Sequence, residues 1–194
     1  MSKIGIYGGT FDPIHHGHLI LAREAREQLQ LDEIIFIPAA QSPHKPDVPA
    51  TPAAVRLEML RAATADEPFF SIDGSELNRP PPSFTINTVE DFARLKPDAK
   101  LFYLIGSDNL PRLPSWHRIG ELETLVEFVV LDRGGHADDS SYRTIRRPID
   151  ISATEIRKKV AEGRSIRYLV PPAVAEIIQR HQLYQDTQKS PRKN

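Results

Sequence analysis

Residues 3–18 read KIGIYGGTFDPIHHGH and carry the strongest indication of the fold. The apolar run 3–7 predicts a buried β-strand, and the helical spacing of apolar residues after His18 predicts an amphipathic helix over 18–29. Two glycines stand directly between them. A glycine-containing loop between a buried strand and a helix N-terminus suits an anionic ligand, because glycine lets the backbone approach closely and the helix presents free N–H groups.

The same alternation of short apolar runs and helical stripes continues along the chain. Strands are predicted over 33–37, 69–73, 101–105 and 127–131, and helices over 53–63, 85–95, 119–125, 154–162 and 172–181. This alternation predicts an α/β fold, a Rossmann-like doubly wound parallel sheet with helices on both faces. We expect one domain over 1–186 and a disordered tail over 187–194. Ligands of such a sheet bind outside the carboxyl ends of its strands.

Composition limits the function classes. The 194 residues include no cysteine, which excludes disulfides, thiolate metal sites and cysteine nucleophiles. No apolar stretch approaches the roughly 20 residues of a membrane span, and the N-terminus has no apolar leader. We therefore expect a cytoplasmic protein with no membrane partner.

The near-neutral net charge of −1 hides an asymmetry between the two parts of the chain. Residues 1–132 carry 12 basic and 19 acidic side chains, whereas residues 133–194 carry 13 basic and 7 acidic ones. A solvated basic face is one explanation, and supply of positive charge to an anionic ligand is the other. A sequence pI of about 6.7 argues against a nucleic-acid partner and favours a compact phosphate ligand.

Three of the seven histidines, His15, His16 and His18, fall within four positions of the first loop and helix. Chance, or histidines satisfied in the core, would explain any one of them. A zinc site including Asp12 is a second reading, although a third and fourth ligand are missing. A phosphate site uses the geometry better, because His15 and His18 are both placed to donate N–H bonds to an anion at the helix N-terminus.

A second polar segment, residues 151–157, reads ISATEIR after a strand-like stretch at 148–151. Ser152 and Thr154 are placed to cap the following helix, and Arg157 lies one turn in. Alone, this pattern is an ordinary capped amphipathic helix. Opposite a histidine-rich loop, its free N–H groups, hydroxyls and guanidinium favour a second anion site.

The first loop resembles the G-x-F-D-P-x-H-x-G-H motif of the HxGH nucleotidyltransferases, and ISATEIR resembles their I-S-x-T-x-I-R motif. Within that superfamily the chain is most similar to the bacterial nicotinate-nucleotide adenylyltransferases, over nearly its whole length. It departs from the family pattern at Ser42, at Phe84, where the family often has tyrosine, and at His117, where it often has another aromatic residue.

The resemblance implies adenylyl transfer from ATP to nicotinate mononucleotide, with positioning and electrostatic stabilisation as the source of catalysis. It implies Mg²⁺ carried on ATP without a dedicated protein site. Catalytic roles are implied for His15, His18 and Arg157. The implied ATP-binding residues are Gly8, Gly9, Thr10, Phe11, His15, His18, Gly106, Asp108, Ser152, Thr154 and Arg157. Those implied for the mononucleotide are His44, Lys45, Thr85, Trp116, His117 and Arg133.

Three alternatives stay open at the level of sequence. The chain could be a pantetheine-phosphate adenylyltransferase, a glycerol-phosphate cytidylyltransferase, or a nucleotide-binding sensor without catalysis. A pyridine substrate is favoured by Trp116 in a proline-rich loop and by a helix start at Thr85. Trp116 is equally explained as a hydrophobic plug of its loop, and Thr85 as a plain helix cap. The sequence does not decide between a monomer and a homo-oligomer.

Overall fold

The computed structural model describes residues 1–40, 50–80, 84–134 and 141–185. In these ranges the strands are β1 (Lys3–Gly9), β2 (Glu33–Pro38), β3 (Phe70–Ile72), β4 (Lys100–Gly106), β5 (Glu127–Asp132) and β6 (Arg143–Arg146). The α-helices are α1 (His16–Leu29), α2 (Ala53–Thr64), α3 (Thr85–Leu95), α4 (Ile119–Leu125), α5 (Ala153–Ala161) and α6 (Pro172–Arg180). Two 3₁₀ segments, Ser75–Asn78 and Ser107–Ser115, follow β3 and β4.

All six strands are parallel, in the order β3-β2-β1-β4-β5-β6. The chain moves outward from β1 through β2 and β3, and then returns to the other side of β1 with β4. The topological switch point therefore lies between β1 and β4, where open α/β sheets bind their ligands. The predicted Rossmann-like doubly wound sheet is confirmed.

Two apolar layers cover the two faces of the sheet. In β1, Ile4 and Ile6 point into the layer beneath α3 and α4, whereas Tyr7 points into the layer beneath α1, α2, α5 and α6. Because the central strands are buried on both faces, they read as continuous apolar runs in the sequence. The predicted inward stripe of α1 is also confirmed, since Ala22, Ala25 and Leu29 are all buried.

The predicted strands and α-helices match the observed ones to within two residues at their ends, with one wrong prediction and one omitted strand; the two 3₁₀ segments were not predicted either. The stretch 148–151 is not a strand, because β6 ends at Arg146 and irregular backbone leads to α5. The strand β6 itself was not predicted. It reads RTIR, buries only Ile145, and pairs with β5 alone, so an edge strand of this kind leaves almost no apolar pattern.

The two ends of α5 follow the sequence prediction. Ser152 is the N-cap, and its Oγ accepts a hydrogen bond of 3.1 Å from the backbone N–H of Glu155. Gly163 follows the helix with a φ of 70°, a conformation that glycine adopts without the strain of a side chain. No helix within the described ranges is long and apolar enough to cross a membrane. The predicted tail 187–194 lies outside those ranges, so the domain boundary at 186 stays a prediction.

Candidate active site

A cavity of about 1070 Å³ opens at the carboxyl ends of β1, β4 and β5. Every predicted site residue that the structure describes lines it: Gly8, Gly9, Thr10, Phe11, His15, His18, Thr85, Gly106, Asp108, Trp116, His117, Arg133, Ser152, Thr154 and Arg157. The other two predicted residues, His44 and Lys45, lie outside the described residues. The fold thus gathers residues from positions 8 to 157 into one site, while their individual roles stay predictions.

The two predicted catalytic histidines form a stacked pair. His15 is the N-cap of α1 and is almost completely buried, and His18 lies in the first turn. Their ring centroids are 3.7 Å apart with an angle of 23° between the planes. The backbone N–H of His15 donates to Nδ1 of His18 at 3.3 Å. Because Nδ1 accepts this bond, the proton of a neutral His18 resides on Nε2, which is the nitrogen free to act as a donor.

Burial keeps both rings neutral in the free protein. Burial lowers the pKa of His15 to about 3, and the nearby charges of Arg133 and His16 act in the same direction. Burial also lowers the pKa of His18 well below its usual value, with His15 and Arg133 adding to the effect. The pair therefore offers an anion neutral N–H donors, and the positive charge beside it comes from Arg133.

The glycines of the first motif make room for side chains of the protein itself. A Cβ on Gly17 would lie 3.0 Å from two ring atoms of His15, and a Cβ on Gly9 would lie 2.9 Å from the ring of Phe11. Phe11 in turn is only 2% exposed and packs edge-on against His18, with centroids 5.2 Å apart. The ring of Phe11 consequently supports His18.

Hydrogen bonds join the two sequence motifs directly. One Nη of Arg157 donates to the backbone carbonyl of Asp12 at 2.7 Å, and the other donates to Oγ1 of Thr154 at 3.3 Å. Arg133, at the end of β5, donates to the backbone carbonyl of Ile151 at 2.9 Å. Two guanidinium groups therefore lie where the motifs meet, as required of a site for a polyphosphate.

Arg56 is a site residue that the sequence analysis missed. The residue is 1% exposed, and its guanidinium donates to the backbone carbonyls of Thr10 at 2.8 Å, Thr51 at 3.0 Å and Ala40 at 3.4 Å. Burial lowers its pKa, an effect that the nearby carboxylate of Asp12 opposes. A signal was present in the sequence, because Arg56 shares one face of α2 with the buried Met59.

One part of the cavity wall is aromatic. Trp116 is half-buried and meets Tyr103 edge-on, with ring centroids 5.8 Å apart. Phe84 and His117, two of the positions that depart from the family pattern, lie against each other with centroids 4.5 Å apart and planes inclined by 33°. Thr85 begins α3 as predicted, and no side chain caps that helix at Phe84. A flat ring with an anionic substituent suits this combination of aromatic walls and free helix N–H groups.

Two further residues of this region were not predicted. Glu76, in the 3₁₀ segment after β3, is 6% exposed, lines the cavity and accepts a hydrogen bond of 2.7 Å from Oγ1 of Thr88. Burial raises its pKa, while the bond from Thr88 and the charge of Arg79 oppose that rise. Tyr103 reaches from β4 towards Thr85, with 3.4 Å between the hydroxyl oxygens. Neither residue lies near a motif in the sequence, so only the folded chain shows them.

Gly106 is the last residue of β4, and Asp108 follows the strand. A Cβ on Gly106 would lie 2.4 Å from Oδ1 of Asp108, so the glycine leaves space for this carboxylate at the cavity wall. Among the described residues, no group of three or more histidine, aspartate or glutamate side chains is arranged to hold a metal ion. Asp12, the carboxylate of the first motif, is engaged with the backbone N–H of Thr51 at 3.0 Å and with the hydroxyl of Tyr184.

A parallel sheet with a histidine motif at its switch point and an arginine-bearing helix opposite defines a nucleotidyltransferase-type site. In agreement, residues 6–159 match the family model described as Cytidylyltransferase-like. The chain is 44% identical to the "Probable nicotinate-nucleotide adenylyltransferase" of Thermomicrobium roseum, over 95% of this chain and 92% of that protein. It is 39% identical to the protein of the same name from Bacillus pumilus, over 95% of this chain and 100% of that protein. The chain belongs to the nicotinate-nucleotide adenylyltransferase family.

Solved structures support the fold independently. The nicotinic acid mononucleotide adenylyltransferase of Plasmodium falciparum, complexed with NaAD, superposes with a TM-score of 0.81 at 21% identity. The match covers 95% of this chain and 98% of that one. A structure of the same Plasmodium protein complexed with APC gives a TM-score of 0.77 at 21% identity, with the same coverage of both chains. At this level of identity, the likeness establishes the shared fold.

Proposed function

We propose that this chain transfers the adenylyl group of ATP to nicotinate mononucleotide, yielding nicotinate adenine dinucleotide and pyrophosphate, a step of NAD biosynthesis. A phosphate oxygen of the mononucleotide attacks the α-phosphorus of ATP, and the bond from that phosphorus to the bridging oxygen of pyrophosphate breaks. The mononucleotide phosphate is already ionised at neutral pH. The reaction therefore requires neither a covalent intermediate nor a strong general base.

One observation carries the proposal: Arg157 of the second motif donates to the carbonyl of Asp12 in the first, at 2.7 Å. This contact holds a guanidinium against the histidine loop (residues 10–15), in a cavity whose wall also includes Trp116 and the start of α3. One cavity thus combines a polyphosphate end and an aromatic end that can receive a carboxylate, which suits both proposed substrates.

The roles proposed at the polyphosphate end follow from the geometry. Nε2–H of His18 and the hydroxyl of Thr10 face the α- and β-phosphates, and His15 orients His18 and lies beside the same phosphates. Arg157 and the α5 N-terminus at Ser152 hold the β- and γ-phosphates. Charge on the transferring phosphorus is stabilised by these fixed donors, which need little rearrangement as the reaction proceeds. Gly106 and Asp108 serve the adenosine, with the carboxylate accepting from ribose hydroxyls.

At the aromatic end, the ring of Trp116 stacks on the pyridine, and the first N–H groups of α3 at Thr85 receive its carboxylate. The pair formed by Phe84 and His117 covers the same ring from the rim. Arg133, and the predicted His44 and Lys45, serve the mononucleotide phosphate. Mg²⁺ enters as part of the ATP substrate and neutralises charge on the leaving pyrophosphate. Because ATP is its substrate, we place the activity in the cytoplasm, with no nucleic-acid or membrane partner.

Pyrophosphate release tests the proposal directly. The purified protein is incubated with MgATP and, in parallel, nicotinate mononucleotide, nicotinamide mononucleotide or phosphopantetheine, and with MgCTP and glycerol 3-phosphate. We expect the highest kcat/KM with nicotinate mononucleotide and formation of nicotinate adenine dinucleotide in equal amount to pyrophosphate. Turnover with phosphopantetheine or glycerol 3-phosphate alone would favour another transferase of the superfamily. ATP binding without pyrophosphate release from any mixture would identify a non-catalytic sensor.

A further inference from the structure

The chain beyond α6 turns back towards the site. Gln182 and Tyr184 adopt left-handed backbone conformations with φ of 50° and 59°, and the backbone N–H of Leu183 donates to the carbonyl of Ile178 at 3.0 Å. Residues other than glycine rarely adopt this conformation, so two of them within three positions indicate a turn held by its surroundings. The turn brings Tyr184 to Asp12 of the histidine loop, 172 positions earlier in the chain.

Tyr184 completes the hydrogen bonding of a buried carboxylate. Its hydroxyl donates to Oδ1 of Asp12, and the backbone N–H of Thr51 donates to Oδ2 at 3.0 Å. The hydroxyl of Thr51 in turn donates to the Tyr184 oxygen at 3.4 Å. Asp12 is only 8% exposed, so water does not replace either donor at low cost. Burial and the charge of Asp12 raise the pKa of Tyr184, which keeps its hydroxyl protonated and able to donate.

The same aspartate also positions the arginine of the second motif. The backbone carbonyl of Asp12 accepts the 2.7 Å bond from Arg157, while its carboxylate accepts from Tyr184. Displacement of Asp12 therefore moves the surface on which the guanidinium rests. Thr154 gives Arg157 a second contact, but it is longer, at 3.3 Å.

We propose that Tyr184 is a positioning residue for ATP: through Asp12 it fixes the histidine loop and the Arg157 guanidinium against the triphosphate. This inference rests on the proposed function for the identity of the ligand. Tyr184 is not among the residues lining the cavity, and it acts only through the aspartate. Its loss affects ATP and leaves the pyridine-binding part of the mononucleotide subsite, formed by Trp116 and the start of α3, unchanged.

The test compares Tyr184→Phe with the unmodified protein under steady-state conditions. We expect the KM for ATP to rise roughly 3- to 10-fold and kcat to fall to a similar extent, because small displacements of binding groups are costly in catalysis. The KM for nicotinate mononucleotide should stay within 2-fold. Tyr168→Phe is the matched control, since Tyr168 is 77% exposed and its ring lies beside the guanidinium of Arg167. It should leave all three constants unchanged.

A purely structural tyrosine would give a different pattern. Equal rises in the two KM values, or a lowered melting temperature with an unchanged KM for ATP, would overturn the inference. Should Tyr184→Phe fail to fold, Asp12→Asn serves as the second variant. It keeps the side-chain shape but removes the charge that Tyr184 bonds, and should give the same ATP-selective loss. A normal KM for ATP in Asp12→Asn would contradict the proposal.

Calorimetric titration with ATP separates this inference from the proposed function. If the unmodified protein binds ATP but releases no pyrophosphate, the proposed function fails. The role of Tyr184 is then still tested by the dissociation constant for ATP. We expect Tyr184→Phe to weaken ATP binding roughly 3- to 10-fold, and an unchanged constant would overturn its assigned role. Absence of ATP binding to the unmodified protein would remove both proposals.

Discussion

The imidazole rings of His15 and His18 lie stacked at 3.7 Å, and the backbone N–H of His15 donates to Nδ1 of His18. The first contact sets the plane of the His18 ring, and the second sets its tautomer. Together they direct the Nε2–H donor of His18 without any charged partner. A donor held in this way loses little entropy when charge develops on a nearby phosphate, which is the condition for effective electrostatic catalysis.

Replacing His18 by alanine should lower turnover by about 10²- to 10³-fold, because a donor fixed towards the transition-state charge is lost. Affinity for ATP should change much less. The fold should persist, since Ala22, Ala25 and Leu29 still bury the inner face of α1. His16→Ala is the control, because His16 lies in the same first turn of α1 but is not among the residues lining the cavity. Turnover of His18→Ala within a few-fold of the unmodified enzyme would show that this role is wrong.

Replacing Gly17 by alanine should reduce kcat by roughly 10-fold, because the added Cβ would lie 3.0 Å from the His15 ring and displace the stack. Helix propensity alone predicts that Gly17→Ala stabilises the protein, with a free energy of unfolding higher by up to about 1 kcal/mol. Gly120→Ala in α4 is the matched control, since a Cβ there meets nothing within 4 Å. Steady-state kinetics give kcat of both variants, and thermal unfolding gives their stability. Normal kcat in Gly17→Ala would show that the stack tolerates displacement.

The sheet was predictable because its central strands are buried on both faces and leave continuous apolar runs. The edge strand β6 was not, since a single buried residue, Ile145, gives no pattern. The 3₁₀ segment Ser107–Ser115 contains two prolines and therefore reads as a loop. Local pattern thus predicts elements that bury much apolar surface and fails where tertiary pairing alone defines the element.

The candidate site divides in the same way. Residues carried by motifs, such as His18 and Arg157, were predicted and do line one cavity. Arg56, Glu76 and Tyr184 were missed, although each contacts a motif or the cavity wall. Their contacts span between 12 and 172 positions along the chain, so the fold creates these contacts and no local spacing encodes them.

Stability should fall as the pH is lowered from 7 to 5. The pKa of His15 is about 3 in the folded protein and 6.5 in a model peptide, so the unfolded chain binds this proton first. The contribution of His15 to the free energy of unfolding is complete above pH 6.5 and is lost progressively towards pH 3. At pH 5 the loss is about 2 kcal/mol. When the free energy of unfolding is measured in urea between pH 7.5 and 5, it should change less with pH in His15→Asn than in the unmodified protein. His117→Asn, at an exposed position, should keep the slope of the unmodified protein, and identical slopes in all three proteins would exclude His15 as the cause.

The pyridine substituent gives the sharpest test of the aromatic end. Free N–H groups at the start of α3 should favour a carboxylate over a carboxamide by ~10-fold or more in kcat/KM, the value of one charge-assisted bond of about 1.5–3 kcal/mol. The sequence has no acidic residue over 83–87, but the fold places Glu76 at the cavity wall, bonded to Thr88 of α3. A negative side chain there opposes the carboxylate.

Glu76→Gln should therefore increase the preference for nicotinate over nicotinamide mononucleotide, by roughly 3-fold or more, because the amide keeps the bond from Thr88 and removes the charge. Measured kcat/KM for each mononucleotide at fixed ATP and pH 8, where Glu76 is most fully ionised, gives the ratio. Glu90→Gln is the control, since Glu90 lies on α3 with Thr88 but faces Arg118 at the surface, with 2.7 Å between the charged groups. Equal kcat/KM values in the unmodified enzyme would refute carboxylate recognition by α3. A clear preference that Glu76→Gln leaves unchanged would instead show that the glutamate charge does not reach the pyridine substituent.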